Sequence, residues 1–320
     1  MTVIKLGSRA SKLAVAQTEI VLKALKEQHP DIDFEIVTTT TLGDNVQEKA
    51  LYAFGGKPVW TAELESLLSN DSVHMIVHSL KDVPTSLPEQ FTIGAILNRA
   101  DPRDALVVRS DLPYKSIAEL PDHSVVGTSS IRRSSQLKRK FPNLEFKVVR
   151  GNINTRLAKL DDPQEGYTCI ILAAAGLLRL DFGPRITQYF SSPDLLYAVG
   201  QGAIGVELKK NDTATQALLD KVIDIPVAYT CTAERSLMKK LEGGCSVPLG
   251  VESKLSPEGQ LTIEACVVSV DGSESASASL TGSIKSYEDA EAFGVKLADV
   301  LVSKGAATIL DKIVYDKVKQ

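Results

Sequence analysis

From Val3 to Ala173 short apolar, β-branched runs alternate with stretches of helical periodicity, and this alternation constrains the fold more than any other feature of the chain. Val3 to Leu6 reads as a strand leading into Gly7-Ser8-Arg9-Ala10-Ser11, after which Leu13, Ala16, Ile20 and Ala24 recur at helical spacing until His29-Pro30. Strands are expected over Phe34 to Thr41, Val73 to Ser79 and Phe91 to Leu97, with a helix over Ala62 to Leu68. Asn98 to Asp104 reads as a crossing between domains. The pattern resumes with strands over Ala105 to Val108, Val125 to Gly127, Phe146 to Val149 and Thr168 to Ala173, and helices from Ile131 and over Asn152 to Leu160. Alternation of this kind predicts an α/β fold with parallel sheets in two halves that form a cleft, with ligands bound at the carboxyl ends of the strands.

The texture changes after Pro226. A helix over Ala228 to Leu241, a hairpin formed by Gln260 to Val270 and Glu274 to Gly282 around Asp271-Gly272, and helices over Tyr287 to Ser303 and Ala306 to Val318 predict a small α+β domain. The expected domains are 1–98 with 200–220, then 99–199, then 226–320.

Charge is distributed unevenly. The chain carries a net −4, yet between Gly127 and Arg156 eight cations stand against the single acid Glu145. Concentrated cations on an acidic protein imply an anionic ligand more than bulk nucleic-acid affinity. Within that stretch, Thr128-Ser129-Ser130 would cap a helix whose first turn holds Arg132 and Arg133. Cations there oppose the helix dipole unless an anion sits between them. Lys138, Arg139 and Lys140 read as a solvated face. A nucleic-acid surface would interleave stacking aromatics, whereas this stretch has only Phe141 and Phe146.

Cys169, Cys231, Cys245 and Cys266 are far apart with no C-x-x-C, so neither a disulfide framework nor a metal site is expected. His74 and His78 lie in a β-rich run and read as satisfied strand histidines. The absence of a signal-like start and of a long apolar run predicts a cytoplasmic protein with no membrane partner.

Four segments sit where strands give way to turns: Arg9-Ala10-Ser11, His78-Ser79-Leu80-Lys81-Asp82-Val83-Pro84, Arg150-Gly151-Asn152-Ile153-Asn154-Thr155-Arg156, and Ala173-Ala174-Ala175-Gly176 leading to Arg179. Asp82, a carboxylate at a strand end, points to a role in the cleft. A fifth segment, Glu242-Gly243-Gly244-Cys245-Ser246-Val247-Pro248, places a thiol on a glycine-flanked loop, available for covalent attachment.

Together with GTSSIRR (127–133) and VGQGAIGVE (199–207), these motifs resemble the porphobilinogen deaminase, or hydroxymethylbilane synthase, family along nearly the whole chain. The resemblance implies two α/β domains like those of periplasmic binding proteins and a transferase that condenses four porphobilinogens head to tail with release of ammonia. It implies a dipyrromethane cofactor held by a thioether to Cys245, and Asp82 as the catalytic acid–base and electrostatic group. Lys81, Asp82, Thr128, Ser129, Ser130, Arg132, Arg133, Arg150 and Gly151 would bind the cofactor, and Arg9, Ser11, Arg150, Arg156, Arg179 and Gln201 the substrate. Gln201-Gly202 would belong to the hinge strand that returns to the first domain. Lys57 and Trp60 would lie on a mobile loop, where Ala62 departs from a lysine frequent in the family. A cytoplasmic monomer without metal is expected. A non-catalytic anion-binding protein of the periplasmic type is the competing expectation, but it has no use for Cys245.

Overall fold

The computed structural model describes residues 3–41, 61–241 and 247–318, with side chains through residue 313. One sheet holds β1 (Ile4–Arg9), β2 (Phe34–Thr39), β3 (Met75–Ser79) and β4 (Phe91–Leu97). A second holds β5 (Asp104–Val108), β6 (Val125–Gly127), β7 (Glu145–Lys147), β8 (Cys169–Ala173) and β9 (Gln188–Tyr189), and β10 (Ile204–Lys209) returns to the first. The strand orders, β2-β1-β3-β10-β4 and β7-β6-β8-β5-β9, follow one plan. In each sheet the first three strands are parallel, and a fourth, antiparallel to both its neighbours, separates them from the edge. The expectation of parallel sheets therefore fails at β5 and β10. Each follows directly on a passage of the chain from one sheet to the other, and so enters its sheet from the opposite end.

The helices form where their caps and apolar faces predict. Ser11 Oγ accepts from the Ala14 amide at the start of α1 (Lys12–Gln28), which buries Val21 and Leu25 against Leu6, Met75 and Val77. Next come α2 (Ala62–Ser69), α3 (Ile131–Lys140) and α4 (Ile153–Asp161), the last capped by Asn152 Oδ1 on the Thr155 amide at 2.9 Å. Short helices α5 (Ala174–Arg179) and α6 (Thr213–Leu219) follow. The second sheet is covered on both faces: Leu106, Val126, Leu137 and Ile171 fill one core, and Val107, Leu160, Ile170 and Leu177 the other. That is why its strands read as continuous apolar runs.

Helix α7 (Ile225–Lys240) opens the remaining unit, in which β11 (Leu249–Leu255), β12 (Gln260–Val268) and β13 (Ser275–Ser283) form an antiparallel sheet covered by α8 (Tyr287–Ser303) and α9 (Ala306–Val318). Strand β11, unannounced by any turn signal beyond Pro248, completes the predicted hairpin into a meander. Strand β7 stops at Lys147 instead of reaching Val149.

Two passages link the α/β units, and they touch where the Ala100 amide donates to Gly202 O at 3.0 Å. Gly202 is required there: its φ is +87°, and a Cβ would lie 2.4 Å from Ala100 O. His78 Nε2 lies 2.9 Å from the Glu207 carboxylate and His74 Nδ1 accepts from the Lys5 amide, so both are satisfied; His78 lies within β3, whereas His74 stands one residue before it. Cys169, Cys231 and Cys266 are buried, unbridged thiols. Among the described residues no group of His, Cys, Asp and Glu is placed to hold a metal, and no helix is long and apolar enough to cross a membrane.

Candidate active site

The carboxyl ends of β1, β3, β6 and β8 carry Arg9, Lys81-Asp82, Thr128-Ser129-Ser130 and the turn into α5. Two of these ends belong to each sheet, so the motifs converge between the two α/β units.

The arginine pair at the start of α3 is the first surprise. Arg132 and Arg133 are 5% and 6% exposed, and the anion between them is Asp104, the fully buried first residue of β5. Arg132 Nη1 donates to Asp104 Oδ2 at 2.7 Å; Arg133 donates to Oδ1 from Nη2 at 2.6 Å and from Nε at 2.9 Å. Burial alone would raise the Asp104 carboxyl, but the two guanidiniums outweigh it and hold the group well below the usual carboxylate range. Backbone carbonyls of Leu196 and Ile171 take one further bond from each arginine. An anion opposite these cations is what the helix dipole demands, and the protein supplies it from its own chain. In the sequence Asp104 reads only as the end of an inter-domain crossing, because nothing in a lone acid before an apolar run marks it as a hub.

Around this pair lies the rest of the predicted set. Burial pushes Lys81 down to about 8 against the opposing pull of Asp82, with Arg133, Asp104 and Arg132 also within electrostatic reach. Burial likewise brings Arg156 down to about 10, helped by Arg133 and Arg150 and opposed by Asp82. Lys81 thus shares one electrostatic neighbourhood with Asp82, Arg132 and Arg133, and Asp82 lies within reach of Arg156. Asp82 ends the short turn Leu80–Asp82 beyond β3 and is partly exposed.

Gln201, expected at the substrate, is 1% exposed and fully engaged. Its Nε2 donates to Pro102 O at 2.7 Å and Asp104 Oδ1 at 2.9 Å, and its Oε1 accepts from Lys81 Nζ at 3.3 Å. Arg179, also expected there, donates from Nη2 to Asn98 O and Gly202 O, clamping both inter-domain passages. Ser129 Oγ donates to Val149 O, Ser130 Oγ caps Arg133, and Thr128 Oγ1 accepts from the Ser130 amide, so these hydroxyls shape the turn. Gly151 adopts φ +114° and its carbonyl accepts from Arg156 Nε at 2.7 Å. Ser11 is the cap of α1. Cys245, Lys57 and Trp60 lie outside the described residues, whereas Ala62 is the first residue of α2.

Arg150 is 7% exposed, and its Nη1 is shielded from solvent with no hydrogen-bond partner, a feature it shares with Nε of Arg179. A buried guanidinium N–H without an acceptor is costly, and a ligand that brings one would relieve that cost. Arg156, within electrostatic reach of both Asp82 and Arg150, fits with Arg150 a group rich in carboxylates, such as a pyrrole bearing acetate and propionate side chains. The fold and site define an α/β protein whose cleft sets one carboxylate among cations suited to a polycarboxylate.

Residues 4–217 match the profile of the porphobilinogen deaminase dipyromethane cofactor binding domain, and residues 228–303 that of the porphobilinogen deaminase C-terminal domain. The chain belongs to the porphobilinogen deaminase family. It is 52% identical to the porphobilinogen deaminase of Yarrowia lipolytica over 98% of this chain and 94% of that one. Identity to the Saccharomyces cerevisiae enzyme is 50%, over 99% of this chain and 98% of that one. Among solved structures, a methionine binding protein aligns with TM-score 0.44 and 14% identity over 69% of this chain and 88% of its own. A Salmonella typhimurium periplasmic binding protein of high arginine specificity aligns with TM-score 0.40 and 14% identity, over 71% of this chain and 94% of its own.

Proposed function

We propose that this chain is a hydroxymethylbilane synthase, a cytoplasmic monomer that condenses four porphobilinogen molecules head to tail and frees the linear product by hydrolysis. Each addition breaks the C–N bond of the substrate's aminomethyl group and forms a C–C bond to a pyrrole α-carbon, which loses its proton; ammonia leaves. The observation that carries this reading is the placing of Asp82 beside Lys81 and Arg156, with Arg150 holding an N–H that lacks an acceptor.

Cys245 would hold the dipyrromethane, which would supply the first pyrrole α-carbon. Asp82 accepts from the pyrrole N–H of the incoming substrate, and its fixed charge balances the cation left when ammonia departs. Arg150 and Arg156 take acetate and propionate groups, with Arg9, Ser11 and Lys81 lining the same cleft. Arg132 and Arg133 hang on Asp104 without exhausting the five N–H donors of either guanidinium, so they add contacts as well as field. Gln201 and Arg179 act one layer back, on Lys81 and on the hinge. Three units, 1–98 with 200–220, 99–199 and 226–320, divide the work; the three sheets support this division. A binding protein without chemistry leaves Asp82 idle, and family membership speaks against it.

Incubating the purified chain with porphobilinogen and following ammonia and hydroxymethylbilane tests the reading. Asp82→Asn keeps the shape but removes the charge, and turnover is expected to fall about 10²- to 10⁴-fold, with binding changed less. Wild-type turnover in that variant would remove Asp82 from the chemistry.

A further inference from the structure

The Leu80–Asp82 turn is three residues long and carries one internal bond, from the Val83 amide to Leu80 O at 3.2 Å. A single 3₁₀ turn does not hold its own direction. From one side the Leu80 amide donates to Ala203 O at 3.0 Å. From the other, Leu80 packs against Ala228 and Cys231 of α7. One turn further along that helix, Arg235 reaches the chain as it leaves Asp82: Nη1 donates to Val83 O at 3.0 Å and Nη2 to Pro84 O at 2.7 Å. Both prongs of a planar fork on consecutive carbonyls fix the orientation of that segment as well as its distance, which a flexible ammonium cannot do. Val83 is fully buried and Pro84 has a ring-fixed φ, so a segment held at these two carbonyls leaves Asp82 little freedom.

We infer that Arg235 is a positioning residue for Asp82: through the Val83 and Pro84 carbonyls, a helix of the C-terminal unit sets where the carboxylate of the first α/β unit stands. The inference rests on the proposed role of Asp82. Misplacing a catalytic group by about 1 Å costs on the order of 10² in rate.

The experiment measures kcat and KM for porphobilinogen on purified holoenzyme carrying Arg235→Leu or Arg235→Lys, with intact mass to confirm that the covalent pyrrole is present. Arg235→Leu is expected to lower kcat about 10- to 100-fold with KM within about threefold of wild type, and Arg235→Lys, which reaches one carbonyl, to recover part of the loss. Arg235→Leu is also placed on Asp82→Glu. If Arg235 acts through the position of Asp82, its added cost there is a few-fold at most, because residues acting as one unit are not additive. A wild-type kcat for Arg235→Leu, or its full cost repeated on Asp82→Glu, overturns the inference. Should Arg235→Leu not fold, Arg235→Lys decides: lowered kcat at unchanged KM supports the inference and wild-type kcat overturns it. A crippled Asp82→Asn beside a wild-type Arg235→Leu sinks this inference alone, whereas a fully active Asp82→Asn sinks the proposed role of Asp82 first.

Discussion

Gln201 donates to the buried Asp104 carboxylate across 2.9 Å, and in doing so ties the passage returning to the first sheet to the strand that opens the second. The same amide accepts from Lys81, so a chain of polar contacts runs from the Arg132–Asp104–Arg133 cluster to the residue beside Asp82.

Removing the charge at the centre of that cluster tests how much of the fold hangs on it. Asp104→Asn leaves two buried guanidiniums without their counter-ion, and a loss of about 3–5 kcal/mol in unfolding free energy is expected from urea titration. The pH dependence has a definite sign. Because the folded carboxyl sits below its unfolded value, its contribution is present above about pH 4 and is lost as pH falls below that. Wild type should therefore weaken through that window more steeply than Asp104→Asn.

Lys81 has linkage of the same sign, in a higher pH window. Its folded pKa of about 8 is below the roughly 10.5 of a free lysine, so between those values the unfolded chain binds more protons and stability rises with pH. Protein without bound pyrrole should gain unfolding free energy between pH 8 and 10 relative to Lys81→Gln. Parallel curves for the two proteins would contradict the burial of this ammonium.

Arg150→Leu separates a cation kept for a ligand from one kept for the fold. With Nη1 buried and no acceptor, Arg150 contributes little to the pyrrole-free protein. The leucine variant should unfold at or above the wild-type temperature, yet lose pyrrole loading and turnover. Arg133→Leu, which breaks the bonds to Asp104, should lower both stability and loading. Unfolding of Arg150→Leu would make that arginine structural.

Much of this was legible in the sequence because it depends on local pattern. The run Thr128-Ser129-Ser130 announced α3, and the end of β3 marked Asp82. Partners distant in sequence were not legible: Asp104 lies 28 residues from Arg132, and Arg235 lies 152 from Val83. Arginines at the start of α3 signalled a missing anion, which is the one clue that could have led to Asp104. Nothing comparable marks Arg235, which reads as an ordinary polar position on α7. The antiparallel β5 and β10 follow from the route the chain takes between sheets, which periodicity does not encode.

The central claim is that the product grows on the protein itself. Intact-mass spectrometry of the purified chain, alone and mixed with one to three equivalents of porphobilinogen, tests it most directly. The wild-type mass should exceed that of the bare chain by a covalent dipyrromethane, and limiting substrate should give a ladder, each step one deaminated porphobilinogen heavier. Cys245→Ser should show the bare mass and no activity, because an unactivated serine hydroxyl is a poor nucleophile. Active wild-type protein with the bare-chain mass, or free di- and tripyrroles beside a single protein mass, would contradict the account.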